Sequence, residues 1–300
     1  MGEIWGVLAA ILSSGLGGTS IGATRFVRNA IDPLVIGAFR FGLGFMFLLP
    51  VAFMQGGRWP ARRDWAGAAG LGLLFFGIFP IFFNASLIFT TAARGALALS
   101  TLPLLTMVVG AVLGVEPLTV RKTIGVLIAT FGVAVALVSG LAFAPQGAWR
   151  GDVLMVVAAF CMALYSVWSK PFIRRSGPIP FTTMGMGVGA LFLVVVSWAR
   201  GGFAPVAAFG QPQWLAVIYL GLFGAAVTFY LWAFALSRTT PTRVAISVTV
   251  NPITAALVGA VLLDEPVRWN LVVGLVAVFV GIWIATTVSP SVVAVPRSQT

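Results

Sequence analysis

The fold class that the sequence predicts is an all-α polytopic membrane protein, with ten transmembrane helices arranged as two inverted five-helix repeats. Three observations predict it: too few charges for a water-covered surface, ten apolar runs of spanning length, and a match of the chain to itself at one fixed offset. Of 300 residues, 60% are hydrophobic and 8% charged, with a mean hydropathy of +1.06. A soluble fold keeps roughly 25% charged residues, and the 18 basic and seven acidic side chains here could not clothe two soluble domains. Lipid is the covering that fits. A spanning helix takes ~20 apolar residues, so ten use about two thirds of the chain.

The spans follow in order from apolar runs and the charged or Pro/Gly-containing turns between them. The first, 4–24, begins without the basic segment of a cleaved signal, reads as a retained helix, and ends before Arg25 and Arg28. The second, 33–54, opens at Pro33 and carries Arg40 inside it. Arg58, Arg62 and Arg63 precede the third, 65–89, which holds Phe75, Phe76, Phe79, Pro80, Phe82, Phe83 and Asn84. The fourth, 93–115, contains Arg94, Pro103 and a Gly110/Gly114 pair that reads as a packing face. The fifth, 119–140, follows Glu116-Pro117, and the sixth, 151–173, runs from Asp152 towards Arg174 and Arg175. The seventh, 180–200, closes on Arg200 and the eighth, 212–237, on Arg238. The ninth, 240–263, contains Asn251-Pro252; Glu265-Pro266 and Arg268 lead to the tenth, 269–288. Proline suits the first helical position and a carboxylate favours a helix N-terminus, so both Glu-Pro pairs read as starts of the following helices. Gly125/Gly132 and Gly274/Gly281 mark small faces, and the fifth and tenth spans read as support helices packing on one another.

Sliding the chain by 149 residues aligns Gly2-Glu3 with Gly151-Asp152, Arg25 with Arg174, Thr90-Thr91 with Thr239-Thr240 and Arg94 with Arg243. It aligns Val109-Gly-Ala-Val-Leu113 with Val258-Gly-Ala-Val-Leu262, and Glu116-Pro117 with Glu265-Pro266. The expected units are residues 1–145 and 146–290, with a cytoplasmic tail at 291–300. Five spans per copy turn the second copy upside down. Ten spans place both ends on one side, which collects eleven Lys and Arg against six on the other. The positive-inside rule makes that side cytoplasmic. The net charge of +11 is therefore read as orientation and not as a nucleic-acid site, since no basic run exceeds two adjacent residues. With Cys161 as the single cysteine and no histidine, no disulfide, metal centre or cofactor is expected.

Three segments carry a family resemblance: Ala92–Pro103 running on to Gly114–Thr119, Arg243–Pro252 running on to Leu263–Pro266, and Ala38-Phe-Arg-Phe41. Together they resemble the EamA-type transporters of the drug/metabolite transporter superfamily, and within it the YddG-type amino-acid exporters of bacterial inner membranes. The resemblance implies a central cavity between the halves, alternating access, and a multi-pass protein of the bacterial inner (plasma) membrane. Inverted repeats recur in secondary transporters, with the substrate near the midplane. A monomer is expected.

Candidate site residues follow from polar groups at membrane depth. Arg40 lies seven residues into its span, roughly 10 Å below the helix end, and should face the bundle interior. It reads either as a counter-charge for a substrate carboxylate or, the weightier reading, as an arginine tying helix ends through backbone carbonyls or Glu265. Pro80, Pro103 and Pro252 each remove a backbone donor and are the expected hinges. Asn84 and Asn251 stand near the freed carbonyls, and Ser247, Asn251 and Thr254 share a helical face. Ser13, Gly17, Ser20 and Thr24 form a second polar face. Tyr165 and Trp168, spaced i, i+3, are the expected aromatic wall, with Phe83 beside them.

All seven carboxylates fall at span ends or in loops, so no proton relay is evident inside the membrane. No glutamate stands in the first span to bind a cationic drug, and one interior cation is few for sugar phosphates. The solute that fits is neutral or zwitterionic with an apolar side chain, such as a hydrophobic or aromatic amino acid, exported down its own gradient. Other metabolites or drugs in the same fold are the alternative. A channel or a membrane enzyme is the reading from another class, but the chain has no filter-like charge ring, GxSxG, HExxH or buried carboxylate pair.

Overall fold

The computed structural model describes residues 2–28, 30–54, 58–116, 119–139, 144–267 and 269–286, and among these every regular element is helical. Eight helices are long and apolar enough to cross a membrane by length and composition. They are α1 (Gly2–Val27), α2 (Pro33–Met54), α3 (Arg62–Phe89), α4 (Ala92–Val112), α6 (Ala148–Ser176), α7 (Pro178–Ala199), α8 (Gln211–Arg238) and α9 (Pro241–Leu263). At the fifth and tenth positions stand α5 (Val120–Ser139) and α10 (Trp269–Thr286). These two pack along one another, with Gly132 placed where a Cβ would collide with Ala277. The expected bounds agree to within about three residues. Pro117, Arg268 and the 291–300 tail lie outside the described residues, as do the side chains of Arg121 and Lys122.

Four of these helices contain an irregular turn. Residues Leu73–Ile78 in α3 and Leu222–Val227 in α8 are wound as π-helix, and the two stretches lie 149 residues apart. Pro80 explains the first, since its ring and missing N–H push the preceding turn open. The position matching Pro80 in the second half is Phe229, so another cause acts there. The Thr228 hydroxyl donates to the Phe223 carbonyl at 2.6 Å, beside the i+5 bond that the Thr228 backbone N–H makes to the same carbonyl. In α4 the helix breaks at Ser100–Thr101 just before Pro103, and in α9 a 3-10 turn, Ser247–Val250, comes just before Pro252. Each expected hinge proline thus lies beside an irregular turn.

Two readings of the loops are corrected. Gly110 and Gly114 do not make a packing face. Gly114 has left-handed φ (67°) just past the end of α4, its N–H donates to Ala111 O at 3.0 Å, and Val115 N–H reaches Gly110 O at 2.8 Å. That is the bonding of a Schellman C-cap, where glycine avoids the Cβ penalty. Nor do Glu116 and Glu265 start the helices that follow them. Glu265 accepts from the backbone N–H of Ala92 (3.0 Å), the first residue of α4. Glu116 accepts from the backbone N–H and hydroxyl of Thr242 (3.2 and 2.8 Å) in the first turn of α9. Each carboxylate satisfies a helix start in the other half of the chain.

The core between the halves is aromatic. Phe75 of α3 stacks on Tyr165 of α6 (4.1 Å, 16°) and meets Phe229 of α8 edge-on at 5.1 Å, while Phe41 of α2 meets Phe76 at 5.4 Å. Such pairs contribute ~0.5–1.5 kcal/mol each beyond burial. They matter here because lipid supplies little hydrophobic drive for helix association. Where α3 crosses α7, a Cβ on Gly72 would come within 2.5 Å of the Gly185 Cα, so the backbones touch directly.

Candidate functional site

A cavity opens beside this aromatic core, between the two halves. It is lined by Ser13, Ser14 and Gly17 of α1, Arg40 of α2, Phe79 and Phe83 of α3 and Leu99 of α4. From the second half come Met162 of α6, Thr228, Phe229 and Trp232 of α8, and Val248 and Asn251 of α9. The space among them is ≈ 390 Å³, of which ≈ 30 Å³ admits the centre of a water molecule. Eight of the thirteen lining residues form four pairs separated by 149: Ser13/Met162, Phe79/Thr228, Phe83/Trp232 and Leu99/Val248. Leu99 and Val248 are also the carbonyls that Pro103 and Pro252 deprive of an i+4 donor.

Arg40 is the one charged residue in that lining, and it is 3% exposed. Its Nε and Nη2 both donate to the Gly224 carbonyl (3.1 and 2.6 Å), which lies in the π-helical stretch of α8. Its guanidinium also lies over the rings of Phe41, Phe83 and Phe229 at 5.4, 5.5 and 5.7 Å. The expected tie to Glu265 is not made; that carboxylate pairs with Arg25. Nη1 has no partner. The carbonyl-tying role is therefore present, and one donor remains over. A buried cation facing no carboxylate favours an anionic guest, because an uncompensated charge in low dielectric is costly.

Of the predicted site residues, Arg40, Phe83 and Asn251 come together at the cavity. Asn251 is 4% exposed, with its Oδ1 unpartnered and its amide about 3.4 Å from where a Cβ on Gly17 would sit. Ser247 stands one step behind, sharing a 2.8 Å hydrogen bond with Ser14 and donating to Val244 O at 2.7 Å. The 3-10 turn between Ser247 and Asn251 breaks the common face expected for the pair. Asn84 points elsewhere: its Nδ2 donates to Pro33 O at 2.8 Å and joins α3 to the start of α2. Tyr165 and Trp168 do not form a cavity wall. Tyr165 is buried within the aromatic stack, and Trp168 is 44% exposed in an outer groove with Gly67, Gly70, Leu71, Leu74 and Phe172. At i, i+3 the two side chains stand ~60° short of a full turn from one another, which is enough to part them. In the polar face of α1, Ser13 donates to Thr228 O (2.8 Å) and Gly17 lines the cavity, whereas Ser20 bonds its own helix at Leu16 O (2.7 Å).

Trp232, Phe229, Thr228 and Met162 were not singled out by sequence reasoning. The signal lay in the repeat: three of them occupy positions whose partners 149 residues away also line the cavity.

Polar ties, some within a half and some between the halves, stand at both ends of the bundle. At one end Arg25 pairs with Glu265 and donates to Leu87 O (2.9 Å) and Thr90 O. Beside it Arg94 grips Asp152 (2.5 Å), with side chains 5% and 13% exposed. At the other end Arg243 pairs with Glu3, with side chains 45% and 56% exposed, and Lys170 donates to Thr239 O at 2.8 Å. Arg94–Asp152 and Arg243–Glu3 are equivalent pairs, since 94 and 243, like 152 and 3, differ by 149.

The comparisons agree with this architecture. The profile of the EamA-like transporter family matches residues 2–138 and 149–287. The uncharacterized transporter YyaM of Bacillus subtilis is 23% identical over 290 residues, covering 94% of this chain and 92% of that protein. An uncharacterized transporter of Archaeoglobus fulgidus is 26% identical over 259 residues, covering 85% and 88%. One solved crystal structure superposes with a TM-score of 0.70 at 22% identity, over 95% of this chain and 96% of the other, and shares the fold.

Proposed function

The chain belongs to the EamA-like transporter family, and from that premise we propose that it is a secondary transporter exporting small zwitterionic metabolites, hydrophobic or aromatic amino acids above all. The observation that carries the reading is the cavity: walled by both halves, apolar and aromatic, with Arg40 as its one cation and no carboxylate in its lining. A cationic drug meets the wrong charge there, and a sugar phosphate meets too few cations. An amino acid brings a carboxylate for Arg40 and an apolar side chain for the rings.

Within this reading α5 and α10 also cross the membrane, making ten spans in two inverted five-helix repeats, 1–145 and 146–290. The family profile's two matched segments, the π-helical stretches at one offset and the four paired cavity positions support the repeat. Alternating access follows from exchange between the tied ends. YddG-type exporters are the proposed group, the bacterial inner membrane the proposed location, with both termini cytoplasmic and the protein monomeric. Transport needs no proton coupling, because the cavity lining holds no carboxylate to carry one.

The test is counterflow in proteoliposomes. Saturable exchange of labelled phenylalanine or leucine, unchanged by an imposed pH gradient, is the expected result. Strong acceleration by the gradient refutes the uncoupled mechanism, non-saturating flux points to a channel, and no amino-acid flux at all overturns the substrate assignment. Reporter fusions at the two ends test the topology; an external C-terminus would sink it.

A further inference from the structure

The walls of the cavity are largely paired between the halves, but its polar chemistry is one-sided. Among the described residues ten buried side-chain polar atoms lack a hydrogen-bond partner, and three of them line this cavity: Arg40 Nη1, Trp232 Nε1 and Asn251 Oδ1. The positions 149 residues from Trp232 and Asn251 are Phe83 and Leu102, and the one matching Arg40 is Gly189, none of which repeats the group. The rest of each residue's hydrogen bonding does not explain the remainder. Arg40 spends Nε and Nη2 on Gly224, and Trp232 is 2% exposed with its only donor unspent. Buried polar atoms in a folded protein are nearly always satisfied, so a cluster of leftovers around one cavity marks groups kept for a guest. The inventory is two donors and one acceptor.

We propose that Arg40 Nη1 and Trp232 Nε1 hold the carboxylate of an α-amino acid, while Asn251 Oδ1 accepts from its ammonium group. This rests on the amino-acid reading of the same cavity and adds what selects the substrate there: both ends of the zwitterion are required. Trp232 is a specificity-determining residue through its N–H as well as its bulk. The side chain of the guest then lies towards Phe79, Phe83 and Phe229. One orientation is imposed on a pocket whose apolar walls alone would accept two.

Equilibrium binding to the purified full-length protein tests this with three ligands: phenylalanine, phenethylamine, which lacks the carboxylate, and 3-phenylpropionate, which lacks the amine. Wild type is expected to bind phenylalanine ~10-fold or more tighter than either analogue, the scale of losing a charge-assisted hydrogen bond. Trp232→Phe keeps an aromatic ring and should weaken phenylalanine and phenylpropionate but leave phenethylamine unchanged. Asn251→Leu should weaken phenylalanine and phenethylamine but leave phenylpropionate unchanged. A merely structural role would lower all three together, and that result overturns the proposal. So does equal binding of the three ligands to wild type, which would leave the transporter reading standing if phenylalanine counterflow persists. Absence of both saturable binding and counterflow for any amino acid sinks the substrate reading as well.

Discussion

Arg40 shows how one side chain can serve both the fold and the guest. Two of its nitrogens fork onto a carbonyl of the π-helical turn, and the third is left to the cavity. Lysine keeps the charge but has no planar fork. Arg40→Lys is therefore expected to lower both thermal stability in detergent and phenylalanine affinity, by ~10-fold or more for the latter. Retention of both would show that neither role is real. Trp168→Ala is expected to leave affinity within about twofold, because the ring lies in the outer groove and only rim-like packing is lost. A loss comparable to that of Arg40→Lys would put Trp168 back at the site. Arg40 was legible in the sequence because a lone cation at membrane depth must be satisfied. Tyr165 and Trp168 were misread because side-chain spacing on one helix says nothing of which neighbour the helix turns towards.

At the scale of the helix, apolar runs located the eight helices long enough to cross a membrane because lipid demands such runs, and Pro80, Pro103 and Pro252 marked the irregular turns beside them because proline lacks an N–H. The π-helical stretches were not legible. Leu73–Ile78 and Leu222–Val227 are apolar or glycine throughout, and no period distinguishes one extra residue per turn. What holds them open is visible only in three dimensions: Pro80 in one, the Thr228 hydroxyl and the Arg40 fork in the other. Thr228→Val should remove the second donor to the Phe223 carbonyl while the backbone N–H stays, and cost ~0.5–1.5 kcal/mol, read as a lower midpoint of thermal unfolding. No change in midpoint would mean that the widened turn needs no hydroxyl. Pro80→Ala restores the missing N–H, so it is expected to raise the midpoint while slowing counterflow. Faster or unchanged counterflow would deny the π-helical turn a part in the transport cycle.

Across the molecule, equivalent ion pairs sit in unequal surroundings. Arg94–Asp152 is nearly dry, whereas Arg243–Glu3 is about half exposed. Removing one partner of a buried pair costs ~3–5 kcal/mol because the other charge is stranded, while exposed pairs contribute ~0–1 kcal/mol. Asp152→Asn should therefore destabilise the protein strongly and Glu3→Gln barely at all. Equal effects would show that the burial difference does not govern the two ends. The offset of 149 was legible along the chain, and the two ion pairs, the two π-helical stretches and four cavity pairs fall on it. That the copies trade contacts was not, because proximity between them is a property of packing and leaves no mark on spacing.

The trade at the helix starts has a consequence for descent. Glu265 completes a helix of the first half, Glu116 completes one of the second, and Glu3 and Asp152 are exchanged in the same way. The ion pairs are exact counterparts at the 149-residue offset, and Glu116 meets its helix start at Thr242, one residue past Pro241, the position that matches Ala92. On the inverted-repeat reading proposed above, a single five-helix chain meeting an inverted copy of itself could make nearly the whole set, as the self-complementary face of a two-fold dimer does. Gene fusion then needs only to supply a tether, after which the copies are free to diverge where symmetry is a hindrance: at the atoms that must tell one end of a guest from the other.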